Sequence, residues 1–223
     1  MTIEREREEL LTYWSRLFGE ERGKLNPKSA PIRRLFTRKK STAMDVRKVH
    51  DAFGWCAKKP KLCAGAIYRT EAFIAIEPSQ RDPSKPRGVS KEHWPRNIHI
   101  EHTVLASQLH RMWLDREPRG ETDCTFFIAN GVATAMHADE ERALGTDYRT
   151  INPCFERGAE GLPFQRYRTL PKGAVIRNVY TGEAVDIQTY SLNDHRRTVR
   201  ALLKEAKAPQ HWIDSLTVDE LPK

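Results

Sequence analysis

The chain lacks any run near the roughly 18 consecutive apolar residues that a membrane-spanning helix needs. Its first nine residues, MTIEREREE, alternate in charge and contain no apolar stretch of the signal-peptide kind. The expectation is a cytoplasmic protein with no membrane partner. Cysteine is scarce: of four in 223 residues, Cys56 and Cys63 are seven apart, Cys124 and Cys154 thirty apart, and no CxxC pair exists. Structural zinc sites draw on closer pairs, so a zinc knuckle is not expected. Without a secretory signal the thiols read as reduced core or incidental residues. The HExxH of zinc hydrolases and the HxE…PCxxC of deaminases are also missing. There is no internal repeat and no low-complexity tract.

What the chain has is positive charge, in one place. With 39% apolar and 30% charged residues it is globular but polar, and its formal charge is +8. Residues 28–61 alone carry +9, residues 1–27 carry −1, and residues 62–223 sum to zero. The cations are Lys28, Arg33, Arg34, Arg38, Lys39, Lys40, Arg47, Lys48, Lys58, Lys59 and Lys61, against Asp45 and Asp51. Cations so concentrated repel one another unless an anion joins them, as expected of a phosphate-tracking surface. The plain alternative is a solvated basic loop that aids solubility.

Periodicity predicts a helix over residues 3–18, with Leu10, Leu11, Trp14, Leu17 and Phe18 on one face. A second helix is expected over Ala43–Phe53, and a strand or short buried element over Ala66–Ile76. Ser79–Gly88, with no apolar residue, reads as a loop. Ile98–Val104 alternates and is β-branched, hence a strand. Val104–Trp113 suits a short helix, and Arg116–Thr122 a turn. Cys124–Ala129 (CTFFIA) reads as a short strand, and Asn130–Leu144 as a helix ended by Gly145. Ala174–Val179 and Ala184–Tyr190 suggest a hairpin around Thr181-Gly182-Glu183. A last helix is expected over Asp194–Ala206, capped by Asn193 or Asp194, with Arg196, Arg197 and Arg200 as a smaller candidate for phosphate contact.

The chemical signal lies between residues 99 and 137: Glu101-His102 at a strand end, then Asn130, then His137. Each has an ordinary reading when taken alone. Glu101-His102 suits an exposed edge strand, Asn130-Gly131 a turn, and His137 a solvated helix. Their order, beside so basic a segment, resembles the HNH group of His-Me finger (ββα-metal) nucleases, over about 45 of the 223 residues. The 28-residue gap from His102 to Asn130 implies an insertion at Leu105–Asp123. The zinc-bracing CxxC pairs of many HNH domains are absent, and Glu stands before the histidine where Asp or His is commoner.

The resemblance implies an α+β fold. A ββα-metal nuclease core (89–150) would follow a helical, strongly basic N-terminal segment (1–88) and precede a C-terminal hairpin and helix packed on the core (151–223). It implies a metal-dependent endonuclease acting on DNA, with RNA the second choice, and leaving a 5′-phosphate. His102 would be the general base, and Glu101 and His137 the metal ligands. Asn130 would orient the base, and Glu141 stands in reserve on the same predicted helix face. His99 would support Glu101 or be merely exposed. Mg²⁺ is the expected ion, with Mn²⁺, Ni²⁺ or Zn²⁺ also suited to an imidazole ligand. Nucleic acid would be tracked by Arg33, Arg34, Arg38, Lys39, Lys40, Arg47, Lys48, Lys58, Lys59 and Lys61. Analogy with antiphage systems adds a protein partner such as an ATPase subunit and a role in bacterial defence.

The chemistry explains the residue types. Histidine is the side chain whose proton affinity best suits taking a proton from water near neutral pH, and a divalent ion neutralises charge on phosphate and leaving oxygen. On one helix, Asn130 and His137 would lie within about 20° of each other but about 10 Å apart along the axis, which fits split roles. His50, His93, His110, His195 and His211 belong to no constellation and read as structural or surface residues. The rival reading is a non-catalytic nucleic-acid-binding protein that uses the 28–61 segment alone.

Overall fold

The computed structural model describes residues 2–19, 25, 28–81, 97–116, 124–144 and 161–216. The fold is α+β: helices surround a small four-stranded sheet of order β2-β3-β1-β4. Its strands are β1 (Tyr68–Thr70), β2 (Ile98–Glu101), β3 (Thr134–His137) and β4 (Ile176–Asn178). β3 runs antiparallel to β2 and parallel to β1, and β1 pairs antiparallel with β4. The N-terminal, central and C-terminal segments expected from sequence therefore each contribute to one sheet and share one hydrophobic cluster. Among the described residues no helix is long and apolar enough to cross a membrane.

The helix α1 (Ile3–Phe18) buries Leu10, Trp14, Leu17 and Phe18, the stripe its periodicity announces. It also buries charge. Glu6 and Glu9 pair with Arg69 of β1 and with Arg81, and Glu6, Arg69 and Arg81 are almost wholly buried. Arg69 also donates to the carbonyls of Ala66 (3.2 Å) and Ala64 (2.9 Å), so its fork is satisfied on several sides. This quartet fixes α1 to the sheet in one register.

The basic segment folds into α2 (Ala30–Thr37) and α3 (Ala43–Ala52), which pack on each other. Thr42 and Asp45 form a capping box at the start of α3. Val46, Val49, Ala52 and Phe53 turn into the core. The expected element over Ala66–Ile76 is β1 followed at once by α4 (Glu71–Ile74), whose cap Thr70 accepts from Phe73 N (3.2 Å). The excursion after His102 holds α5 (Ala106–Asp115), tied to α2 where Trp113 Nε1 donates to Leu35 O (2.7 Å).

Two expected elements are corrected. Cys124–Ala129 is not a strand: α6 (Thr125–Asn130) occupies it. Asn130–Leu144 is not one helix but the end of α6, an extended link, β3 and α7 (Ala138–Ala143). A six-residue apolar run is ambiguous between strand and buried helix. β3 lies between β2 and β1, with Thr134, Ala135 and Met136 all fully buried, so it shows no alternation.

The C-terminal hairpin shrinks to β4 plus one bridge, Arg177 to Ala184, around Gly182. The last long helix, α8 (Leu192–Glu205), starts two residues early because Ser191 and Asp194 form its capping box. The short α9 (Gln210–Asp214) follows. Residues 82–88 of the expected loop, 117–122 of the expected turn, Gly145, His93 and Cys154 lie outside the described residues.

Removing one acid from the buried quartet strands two guanidinium groups. Glu6→Ala is expected to destabilise the fold by about 3–5 kcal/mol, read as a lowered urea midpoint. A change below about 1 kcal/mol would show that Glu9 alone satisfies both arginines.

Candidate functional site

His102 follows β2 directly, and its position is set from three directions. β2 ends at Glu101; Val104 N donates to Val132 O (3.2 Å); Thr103 Oγ1 shares hydrogen bonds with Thr134 Oγ1 (3.0 Å) and the Tyr167 hydroxyl (2.8 Å). Against its ring lies that of His50 from α3, with centroids 4.9 Å apart and planes 28° apart. The basic segment thus meets the strand-end histidine directly.

Burial pushes the His102 imidazole down to about 4, with Arg47 adding to the depression, while Glu101 and Asp51 act the other way. His50 is held well below its ordinary value by complete burial, helped by His102 and Arg47. Both rings are therefore neutral near pH 7, the form in which an imidazole accepts a proton. Arg47 is exposed on α3 and close enough to act on both.

Asn130 ends α6 and is nearly buried. Its Nδ2 donates back to Phe126 O (2.9 Å), and its Oδ1 accepts from Arg196 Nη2 (2.7 Å) of α8. His195 Nε2 meets Ile128 O (2.7 Å) and its Nδ1 meets the Tyr68 hydroxyl (2.8 Å). A carbonyl only accepts, so Nε2 carries the proton and Tyr68 donates to Nδ1. Together His195 and Arg196 clamp the last turn of α6. Gly131, next along, packs against His50: a Cβ there would stand 3.3 Å from His50 Nε2, 3.2 Å from Trp55 and 2.3 Å from Phe127 O. Asn130-Gly131 thus sits beside His50 with no room for a side chain at 131.

The structure does not bring His137 to Glu101. In the β2–β3 register His137 faces Ile98 and Glu101 faces Thr134, at opposite ends of the pair and on opposite faces of the pleat. His137 instead caps α7, its Nδ1 accepting from Asp139 N (3.1 Å) while Glu140 reaches back to His137 N (3.0 Å). With β3 between them, Asn130 and His137 share no helix face, and the helical spacing that paired them no longer applies. The neighbour of Glu101 is His99, on the same face with its Nε2 3.5 Å from Glu101 Oε2 and both side chains partly accessible. Among the described residues no group of three or more His, Cys, Asp or Glu side chains could hold a metal. One carboxylate and one imidazole do fit a hydrated divalent ion that completes its shell with water and phosphate oxygens.

Of the ten cations expected on a phosphate surface, several serve the fold. Arg34 pairs with buried Asp45. Arg38 donates to the carbonyls of Leu114 (3.2 Å) and Arg116 (2.7 Å), and Lys61 donates to Asp51 O. Lys48 lies 3.6 Å from Asp51. Arg33, Lys39, Lys40, Arg47, Lys58 and Lys59 remain exposed.

No family model matches the chain, and no curated protein or solved structure matches it.

Buried neutral imidazoles make stability depend on pH. His195 is pushed down to about 4 by burial, and His50 lies well below 6.5. Each takes a proton in the unfolded chain before it does in the fold. Its contribution is whole above about pH 6.5 and falls by about 1.4 kcal/mol per pH unit below that. The urea midpoint is expected to drop between pH 7 and pH 5, above the range where carboxylates intervene. A flat profile would mean that these rings are charged in the fold.

Proposed function

We propose that the chain is a metal-dependent endonuclease that hydrolyses phosphodiester bonds of DNA, with His102 as the general base. The single observation that carries this is the stacking of His50 of α3 on His102, which brings the exposed cation Arg47 of the same helix close enough to act on a neutral imidazole at the strand end. A phosphate drawn to this charge arrives where a base waits.

In this reading β2, β3 and α7 form the ββα unit. Supporting it are the antiparallel register of β2 and β3, the start of α7 directly after β3, and the packing of α7 on both strands. The insertion between the strands carries α5 and α6. Glu101 and His99 would hold the ion, in place of the Glu101–His137 pair expected from sequence. Such an ion, Mg²⁺ first, supplies Lewis-acid stabilisation of the phosphate and of the departing 3′ oxygen.

The chain's own groups do the rest. Arg47 holds a phosphate oxygen next to His102. Water attacks phosphorus, its proton passes to the His102 imidazole, and the P–O3′ bond breaks, leaving a 5′-phosphate and a 3′-hydroxyl. Pairing Arg47 with a phosphate neutralises the cation that most lowers the proton affinity of His102, and so raises that affinity when substrate is in place. Asn130, clamped by Arg196 and Phe126 O, holds the 130–131 turn against His50, which in turn stacks on His102. Action in bacterial defence beside an ATPase partner belongs to the same reading and rests on the family resemblance alone.

Supercoiled plasmid tests it. The wild-type protein is expected to nick it with Mg²⁺ or Mn²⁺ and not with EDTA, and His102→Ala to lower the rate about 10²- to 10⁴-fold while still binding DNA. Nicking that persists in the variant would put the base elsewhere. Salt-sensitive binding with no cutting under any metal would favour the non-catalytic binding protein. In the same binding assay Arg47→Ala is expected to reduce the slope of log affinity against log salt by about 0.9. An unchanged slope would remove Arg47 from the phosphate path.

A further inference from the structure

We propose that His50 is a positioning residue of this site, fixing the plane of the His102 imidazole by stacking on it; the inference rests on the nuclease reading. His50 belongs to a cluster of rings. His102 is stacked on it at 4.9 Å, while Trp55 at 4.8 Å and Phe53 at 6.3 Å meet it tilted, with Phe53 5.4 Å from Trp55 and 5.5 Å from Trp14. The cluster is anchored in the core: Trp14 Nε1 and Trp55 Nε1 both donate to Gly65 O, each at 3.2 Å. Close packing of Gly131 against His50 Nε2 closes the remaining side. Trp14, Phe53, Trp55 and His50 are all buried, and His50 joins this packed cluster to the His102 ring.

His50 is fully buried, and neither ring nitrogen has a hydrogen-bond partner among the described residues. Two unmet buried polar atoms cost stability, and phenylalanine would fill the place without them. What the ring supplies is a flat aromatic face, smaller than an indole, against the His102 ring. Stacking limits rotation of that ring about its own side-chain torsion, which is broad and weakly restrained in histidine. A base aimed in advance needs no reorganisation when the substrate arrives.

The test uses the full chain with His50→Phe and His50→Leu. The face survives in Phe and is lost in Leu. Leu is expected to lower kcat for plasmid cleavage about 10- to 100-fold with KM and DNA binding unchanged, and Phe to keep kcat within about threefold. If Leu does not fold, His50→Met replaces it as the variant without a flat face. The His102 ring protons are expected upfield of ordinary histidine in proton NMR for wild type and Phe, and to return to the ordinary position without the face. Wild-type kcat in Leu, or a Phe variant as slow as Leu, would overturn the inference. Wild type that never cleaves would overturn the nuclease reading instead, and the ring-current shift would then still decide whether the two imidazoles stack.

Discussion

The burial of α3 against α2, α5 and α6, which sets His50 on the His102 ring, is the constraint on which the site depends. A segment carrying +9 repels itself, and left to electrostatics it would spread through solvent. Its apolar face prevents this: Val46, Val49, Phe53 and Trp55 are sealed in the core, and each such side chain contributes roughly 1.5–3 kcal/mol. Asp45 and Asp51 are used inside the segment, on Arg34 and Lys48. The remaining cations stay exposed on the folded segment, and Arg47 among them acts on His102. Hydrophobic packing thus presents a charge that electrostatics alone would disperse.

A second layer of restraint lies behind the site. Glu6, Glu9, Arg69 and Arg81 lock α1 to β1, while Tyr68 of the same strand reaches through His195 to the end of α6. Arg196 holds Asn130 from the same helix. The segments before, within and after the central region all bear on the 130–131 turn and on His102. The catalytic reading therefore belongs to the whole chain, not to the central 45 residues that carried the resemblance.

Elements with a strong helical period were legible. α1 falls where Leu10, Trp14 and Leu17 put it, and α3 lies within one residue of its expected end. α8 was found with its start misjudged, because Ser191 rather than Asn193 or Asp194 caps it. The region from 124 to 144 was misread. A central strand of small, buried residues has no period-2 signature, and a single turn and a half of aromatic helix imitates a strand. A helix over 130–144 joins His137 to Asn130, whereas the alternation of Ile98, His99, Ile100 and Glu101 puts His99 and Glu101 on one face, where the structure has them 3.5 Å apart. The sequence alone reads His50 as a structural or surface residue. Its contact with His102 spans 52 positions, and the only local hint was its place one turn after Arg47 in the basic segment.

The central claim is that Glu101 and His99 hold a divalent ion beside His102, with Arg47 at the phosphate. Crystals grown with Mn²⁺ and a short DNA duplex, measured at the manganese absorption edge, test it most directly. The account requires an anomalous peak within bonding distance of Glu101 and His99, and a DNA phosphate between that peak and Arg47. A peak at His137, or a DNA-bound protein with no peak on this face of β2, would contradict it.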